Sequence, residues 1–414
     1  MHLDSATSNE LFQTLIEWNT YPTQSYNPFT PVIEAAKRPE LHGIVDSLAN
    51  DCARFFIPID PDAKSKWVGQ GASTMTGFYI SSTALFPSER WPCTPGGVWD
   101  FFGRGREEVA LDLTKWARDP QREVSSGLAN LLTSLTDSQD QWNAYSSVFM
   151  ERFLTFRPGT AARAATDANS FDPATMKNER TALFIMGSAR SKTSRDFVGS
   201  MTAAVIDRFA DAHGPLRALV IGEEWGQLYV SNFYEILTLY RQAGIHFLGV
   251  FQNAAAQIET RYGKETARLW KKAVAHTIYR GLPDTETLRD IEHRSGKTSV
   301  MVRGYNVSSA QVNGSGDNWS EQSRPLLQVE DIRALTGGAY ALLDSRDEGF
   351  YQVAVPNFWE RSELSGMIRD VRTKPDKYAW LDRRPRLPAP AATMDEDDSE
   401  ILALLDSLGD ARDG

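Results

Sequence analysis

Arg217-Ala-Leu-Val-Ile-Gly-Glu-Glu224 and Ile245-His-Phe-Leu-Gly-Val-Phe-Gln252 are the two stretches whose reading decides the fold. The first is a short apolar run that stops at an acidic pair, Glu223 and Glu224; the second is an apolar run ended by Gln252. Between them Leu228, Phe233, Ile236, Leu237, Leu239 and Tyr240 recur at helical spacing, so residues 228–242 predict a helix. The three pieces make a strand-helix-strand unit with its polar groups placed where the strands end. Ligands of such units sit outside the C-terminal ends of the strands, which makes Glu223, Glu224 and Gln252 the first candidate site residues.

That set of groups suits phosphate hydrolysis. One carboxylate holds the shell of a magnesium ion, a second polarises the attacking water, and a polar group on the neighbouring strand senses the transferred phosphate.

Outward from this unit, apolar strand candidates at 181–187, 217–222, 245–251, 276–281, 297–303, 339–344 and 350–355 alternate with helices near 194–212, 228–242, 264–274, 284–294 and 329–335. The alternation predicts an α/β fold with a mostly parallel sheet covered by helices. Residues 306–323 are polar and rich in Gly, Ser and Asn, and predict an exposed loop. Upstream, helical patterns dominate residues 30–156: 32–53, 67–86, 98–118 with Gly and Pro interruptions, 123–135 and 139–154. Residues 1–29 open with a short helical pattern and end at Tyr26-Asn-Pro-Phe29, where Asn-Pro breaks any helix. The expected division is 1–29, an all-helical part at 30–156, an α/β part at 157–383 and an acidic tail at 384–414.

Composition sets the class. With 414 residues, 41% hydrophobic and 24% charged, the chain has material for a large core and a further domain. No apolar run approaches the roughly 18 residues that span a bilayer, and the N-terminus lacks a signal-peptide pattern, so a cytoplasmic location is expected. Two cysteines, Cys52 and Cys93, are too far apart for a C-x-x-C site, and the six histidines form no zinc motif. Eight acids and one arginine from Asp395 onward hold seven of the ten net negative charges, which leaves the body close to neutral and permits a local basic channel. The tail, with one short apolar stretch at Ile401-Leu-Ala-Leu-Leu405 and Leu408, is expected to be disordered in isolation or to serve as a docking peptide.

Several motifs in order now combine. They are Leu219-Val-Ile-Gly-Glu-Glu-Trp-Gly-Gln-Leu228, Leu239-Tyr-Arg-Gln-Ala-Gly-Ile245, Gly249-Val-Phe-Gln252, Arg261-Tyr-Gly263, Arg280-Gly-Leu-Pro-Asp-Thr-Glu-Thr287, Ser295-Gly-Lys-Thr298, and Arg324-Pro-Leu-Leu327 with Asp331-Ile332. Their order and spacing resemble the coupling proteins of type IV secretion and conjugation, the TraG/TraD group related to TrwB, up to about residue 360. Tyr26-Asn-Pro-Phe29 resembles that family's lead into an inserted all-helical domain, and Phe171-Asp-Pro173 with Ala182-Leu-Phe-Ile185 resembles its return. The resemblance implies a P-loop NTPase of the RecA/FtsK kind, with residues 1–29 the remnant of its nucleotide-binding domain and a domain of the TraM-recognition type. It implies Glu224 as catalytic carboxylate, Glu223 as magnesium ligand, Gln252 as sensor of the γ-phosphate and Arg241 as an arginine finger for a neighbouring subunit. Each has a plainer competitor: a solvated strand end for the acids, a helix cap for Gln252, a helix-dipole partner for Arg241. ATP and magnesium would be the cofactors. DNA, relaxosome proteins and secretion-channel components would be the partners, in a homo-oligomer with the family's hexameric ring, peripheral at the inner membrane.

The chain departs from the family at the phosphate loop. No G-x-x-x-x-G-K-[ST] occurs: Gly296-Lys-Thr298 has Ile291 where the first glycine belongs and follows a helix, and Gly69-Gln-Gly-Ala-Ser-Thr74 has no lysine and sits in a helical pattern. Glu223 also stands where the family has Asp, which moves the carboxylate outward by roughly an ångström. The chain is therefore expected to be the C-terminal portion of a coupling protein, whose sheet lacks the strand that feeds the loop. Two functions follow from different classes: part of an ATP-driven motor that takes its phosphate loop from elsewhere, or a non-catalytic docking module for relaxosome or secretion partners.

Overall fold

The computed structural model describes residues 25–59, 66–119, 138–187, 191–282, 284–306, 316–357 and 360–365, which fall into two compact units meeting in sequence between His213 and Gly214. The expected helix at 123–135 and the acidic tail lie outside the described residues.

The first unit is helical. Its helices are α1 (Thr30–Ala36), α2 (His42–Phe56), α3 (Lys66–Leu85), α4 (Pro95–Phe102), α5 (Arg106–Arg118), α6 (Gln139–Arg152), α7 (Ala161–Thr166) and α8 (Lys192–Asp211). The run expected at 32–53 divides because Pro39 removes a backbone donor and starts a 3-10 turn at Pro39–Leu41. The run at 98–118 divides at Gly105, whose φ of 103° ends helical geometry. Phe29, Phe56, Tyr79, Phe101, Phe149, Phe153 and Phe156 fill one aromatic core. The glycine-rich stretch 69–74 lies inside α3, where a Cβ on Gly71 would sit 2.3 Å from the Tyr145 ring of α6, so that glycine serves helix packing.

The chain enters and leaves this helical core at one clasp. The Tyr26 amide donates to the Ala165 carbonyl at 2.9 Å, the Asn27 amide to Asn169 Oδ1 at 2.7 Å, and Asn169 Nδ2 to Thr30 Oγ1 at 2.8 Å. Arg208 of α8 adds a bidentate pair with Asp172 at 2.9 and 2.6 Å and reaches Glu34 of α1. Residues 181–187, expected as a strand, form no regular element and no ladder among the described residues. Ile185 packs on Tyr26, Met201 and Ala204, while Phe184 is 75% exposed.

The second unit is α/β. Its elements are β1 (Ala218–Gly222), α9 (Phe233–Thr238), β2 (Ile245–Gly249), α10 (Ala254–Ala273), β3 (His276–Tyr279), α11 (Thr285–Arg294), β4 (Lys297–Asn306), β5 (Gly316–Pro325), α12 (Val329–Leu335), β6 (Tyr340–Ser345), β7 (Gly349–Ala354) and α13 (Ser362–Ser365). Parallel pairing, expected of the sheet, joins β1 to β2 with Gly222 opposite Gly249. The other described ladders are antiparallel: β3-β6-β7, and the pair β4-β5. Of the loop expected at 306–323, residue 306 and residues 316–323 are corrected to strand by this second pairing, in which β4 and β5 run in register from Lys297 opposite Pro325 to Asn306 opposite Gly316, while residues 307–315 lie outside the described residues. Polar composition hid it, because strands without apolar alternation carry no period-2 signal. The helix expected at 228–242 is shorter, with a 3-10 turn at Trp225–Gln227 and then α9.

Candidate functional site

The site is built where β1 and β2 end. Gly222 closes β1 with the Trp225 ring folded back over it, so that a Cβ there would lie 2.2 Å from the indole. Trp225 is 1% exposed and packs on Phe233 and Phe247, with centroids at 5.6 and 4.7 Å. Its amide donates to the Val250 carbonyl at 3.2 Å, while the Val250 amide donates to the Gly222 carbonyl at 2.9 Å. These bonds tie the segment after β1 to the segment after β2. Glu223 and Glu224 therefore share the C-terminal edge of the pair with Gln252, and all three are exposed.

Glu224 stands out in the backbone. Among the described residues it is the one non-glycine residue with a positive φ, 52° with ψ 32°. The left-handed region costs an L-residue roughly 1–2 kcal/mol, so the surroundings must hold it. They do: buried Trp225 anchors the next residue, and the Glu224 carbonyl accepts from the Gln227 amide at 2.8 Å. Strain is thus stored at one of the two acids that the sequence singles out.

Helix α10 braces this turn. Asn253 caps it by accepting from the Ala256 amide at 3.1 Å, and Gln257 Oε1 accepts from the amides of both Gln252 and Asn253 at 3.1 Å. The Gln257 amide group also lies against Gly226, where a Cβ would come within 2.4 Å. Further along, Arg261 Nε donates to the Gly226 carbonyl at 3.4 Å, and the Tyr262 hydroxyl accepts from the Val230 amide at 3.1 Å and donates to the Leu228 carbonyl at 3.2 Å. Burial pushes that phenol well above its ordinary pKa, which keeps it a donor. Gln257, Arg261 and Tyr262 escape sequence reasoning as site residues; their signal is the spacing i, i+4, i+5 on one face of a helix that opens directly after Gln252.

Asp284 joins from the loop before α11. It caps that helix through the Thr287 hydroxyl at 2.5 Å and the amides of Thr287 and Glu286 at 2.9 and 3.2 Å. The Thr287 hydroxyl, those amides and the Asn253 side chain hold its carboxyl below the usual range.

Arg241 is placed apart. It lies in the turn between α9 and β2, where its carbonyl accepts from the Gly244 amide at 3.1 Å, and the Gly244 carbonyl accepts from Ala218 at the start of β1. Five strand residues, about 16 Å, separate that end of the pair from the acids, so Arg241 does not serve the edge of its own chain. Gly296-Lys-Thr298 opens β4 and not a helix, with Gly296 at φ 83° in the turn before it. Among the described residues no group of three or more His, Cys, Asp or Glu gathers as a metal site, and no helix is long and apolar enough to cross a membrane.

Comparison with known proteins bears on this geometry. Residues 217–337 match the family model described as the TraM recognition site of TraD and TraG. Over 171 residues the chain is 26% identical to the type IV secretion system-coupling protein VirD4 of Bartonella quintana and 24% identical to that of Bartonella henselae. Each match takes in 40% of this chain and 26% of the relative, so it spans about a quarter of the length of these proteins. Among solved structures, the bacterial conjugative coupling protein TrwBdeltaN70 is similar in its unbound monoclinic form and in its trigonal form with sulphate, each with a TM-score of 0.53, at 14% and 13% identity. Both likenesses cover 75% of this chain and 68% of the other. The chain is thus similar in fold to TrwB over three-quarters of its length, and similar in sequence at 217–337 to the TraM recognition site of TraD and TraG and, over 171 residues, to the VirD4 coupling proteins.

Proposed function

We propose that this chain acts within a type IV secretion or conjugation coupling protein, as the part of an ATP-driven motor that carries the acidic edge of the nucleotide site. The observation that supports it is the junction of β1 and β2. There an acidic pair, one member held in strained backbone, meets the end of the neighbouring strand at Gln252 within the region that matches the TraD and TraG family.

The fit to magnesium and ATP is partial. Glu223 and Glu224 are exposed on one edge and suit a magnesium shell and an attacking water, since magnesium takes one or two carboxylates and leaves the rest to water and phosphate. The loop amides and lysine that grip phosphates have no counterpart in this sequence, so no hydrolytic step is assigned to the chain by itself. In this reading Glu224 orients the water, Glu223 holds the metal, Gln252 senses the phosphate, and Arg241, at the far end of the strands, serves a neighbouring copy in a hexameric ring. Substrate DNA with its bound proteins, and an inner-membrane position on the cytoplasmic side, belong to the same proposal.

The experiment adds a polypeptide bearing G-x-x-x-x-G-K-[ST] to the full chain and follows steady-state ATP hydrolysis. Glu224→Gln should abolish turnover and leave nucleotide binding intact. Equal turnover in parent and variant would remove the catalytic assignment. A docking module is the second reading, favoured by the kind of family matched: residues 217–337 would bind a relaxosome or secretion partner without hydrolysis.

A further inference from the structure

Helices α2 and α3 of the helical unit border a polar cleft of about 360 Å³. Its lining is Asn50 and Arg54 of α2, Ile59 beyond the end of that helix, and Gln70, Ser73 and Thr74 of α3. Asn50 and Arg54 stand at i and i+4, and Gln70, Ser73 and Thr74 at i, i+3 and i+4, so each helix turns one polar stripe to the cleft. Gly77 lets the two approach, since a Cβ there would lie 2.4 Å from Asn50 Oδ1. The glycine-bearing stretch 69–74 thus supplies three side chains to one wall. Hydroxyls inside a helix ordinarily bond back to the carbonyl one turn earlier. Thr76 and Thr83 of α3 do so, donating to the Ala72 and Tyr79 carbonyls at 2.9 and 2.7 Å. Ser73 is only 4% exposed, yet among the described residues its hydroxyl has no hydrogen-bond partner, nor have the Thr74 hydroxyl and the Gln70 side-chain amide. A buried polar group without a partner is an exception in folded proteins and marks a place for something to bind.

We propose that this cleft binds a small monocarboxylate that carries hydroxyl groups. Among the described residues Arg54 has one partner, Asp51 at 3.4 Å, and both side chains are exposed, at 60% and 57%. Such a pair holds weakly, so a carboxylate entering the cleft takes the planar fork of the guanidinium in its place. The ligand's hydroxyls, each both donor and acceptor, answer the Ser73 and Thr74 hydroxyls and the side-chain amides of Asn50 and Gln70, with its carbon chain against Ile59. The volume is that of a small-molecule site. Charge and backbone decide against phosphate. A phosphate monoester carries about two negative charges, against one cation in the lining. It is also gripped by free backbone amides, and only the first four of a helix are free, which leaves those of 70–74 bonded within α3. A nucleic-acid backbone needs a row of cations that the lining does not supply. The proposal concerns the helical unit and is independent of nucleotide chemistry at the strand edge.

Calorimetry on the full chain at constant ionic strength tests it, with sodium gluconate as the probe. One saturable site per chain is expected, with acetate about tenfold weaker because it lacks the hydroxyls, and inorganic phosphate giving no saturable heat. Arg54→Gln should weaken gluconate about tenfold, and Arg54→Lys by less, since lysine keeps the charge and loses the fork. Arg54 is exposed, so both variants should melt as the parent does. Ser73→Ala should weaken gluconate several-fold and leave the melting temperature of the unliganded chain unchanged or raised, because the hydroxyl it removes is buried and unpaired. A lowered melting temperature in that variant would make the hydroxyl a structural group and overturn the proposal. Absence of saturable heat with gluconate, acetate bound equally well, phosphate bound more tightly, or gluconate binding unchanged in Arg54→Gln would each overturn it as well.

Discussion

Glu224 is where residue chemistry and backbone geometry compete. A glycine at φ 52° would relieve roughly 1–2 kcal/mol of strain and give back up to about 1 kcal/mol in chain entropy. Glu224→Gly should therefore leave the fold slightly more stable, by about 0.5 kcal/mol in urea unfolding, although it removes a site carboxylate. A loss of more than about 1 kcal/mol would mean that the Glu224 side chain itself holds the turn. Such a trade of stability for a charged group is what a functional strand end predicts. The acids and Gln252 were legible in the sequence because a polar residue that ends an apolar run marks a strand edge. Gln257, Arg261 and Tyr262 were not, since they act on backbone atoms of residues 226–230 and of 252–253, and only the return of α10 after β2 brings those segments together.

At the scale of elements, caps and pairings decide what forms. Asp284 starts α11, and Asp284→Ala should cost about 1 kcal/mol in urea unfolding near neutral pH, whereas Asp284→Asn should cost much less. Because its folded carboxyl titrates below the ordinary aspartate value, its stabilisation is complete above that value and is lost as pH falls through the lowered one. The gap between parent and Asp284→Ala should thus hold at pH 7 and begin to close below about pH 4; a gap that does not change with pH would mean that the charge of the carboxylate is not what holds the cap. Helices with strong periodicity or clear caps were readable: α12 and the core of α11 lie where the pattern put them, and β1 and β2 within two residues. Two elements were not. Residues 228–242 carry apolar side chains at helical spacing, yet Trp225 and Tyr262 fix the first part as a braced turn, so α9 begins only at Phe233. The β4-β5 ribbon is set by ten paired residues on each strand with little apolar pattern, and cross-strand contacts such as Arg303 over the Trp319 ring are invisible to a one-dimensional period.

At the scale of the whole molecule, the described residues set acids at a strand edge without a phosphate cradle beside them. Its second unit brings two carboxylates and Gln252 to one strand edge, while Gly69–Thr74 is helix interior and Gly296-Lys-Thr298 opens a strand, so neither glycine-bearing stretch cradles phosphate. Phosphate affinity in P-loop proteins comes from loop amides and a lysine; a carboxylate edge without them repels a polyphosphate, and magnesium alone bridges the two only weakly. The purified full chain should accordingly bind magnesium-ATP weakly or not at all, with no saturable heat in calorimetry at micromolar concentrations. Adding the loop-bearing polypeptide should create micromolar affinity, and Glu223→Asp should preserve or raise the turnover of that mixture, because the shorter side chain brings the carboxylate back by roughly an ångström. Micromolar affinity in the chain alone would show that a phosphate cradle exists outside the described residues and would make the chain a nucleotide-binding unit in its own right. No affinity after addition would leave the acidic edge a solvated strand end and favour the docking module.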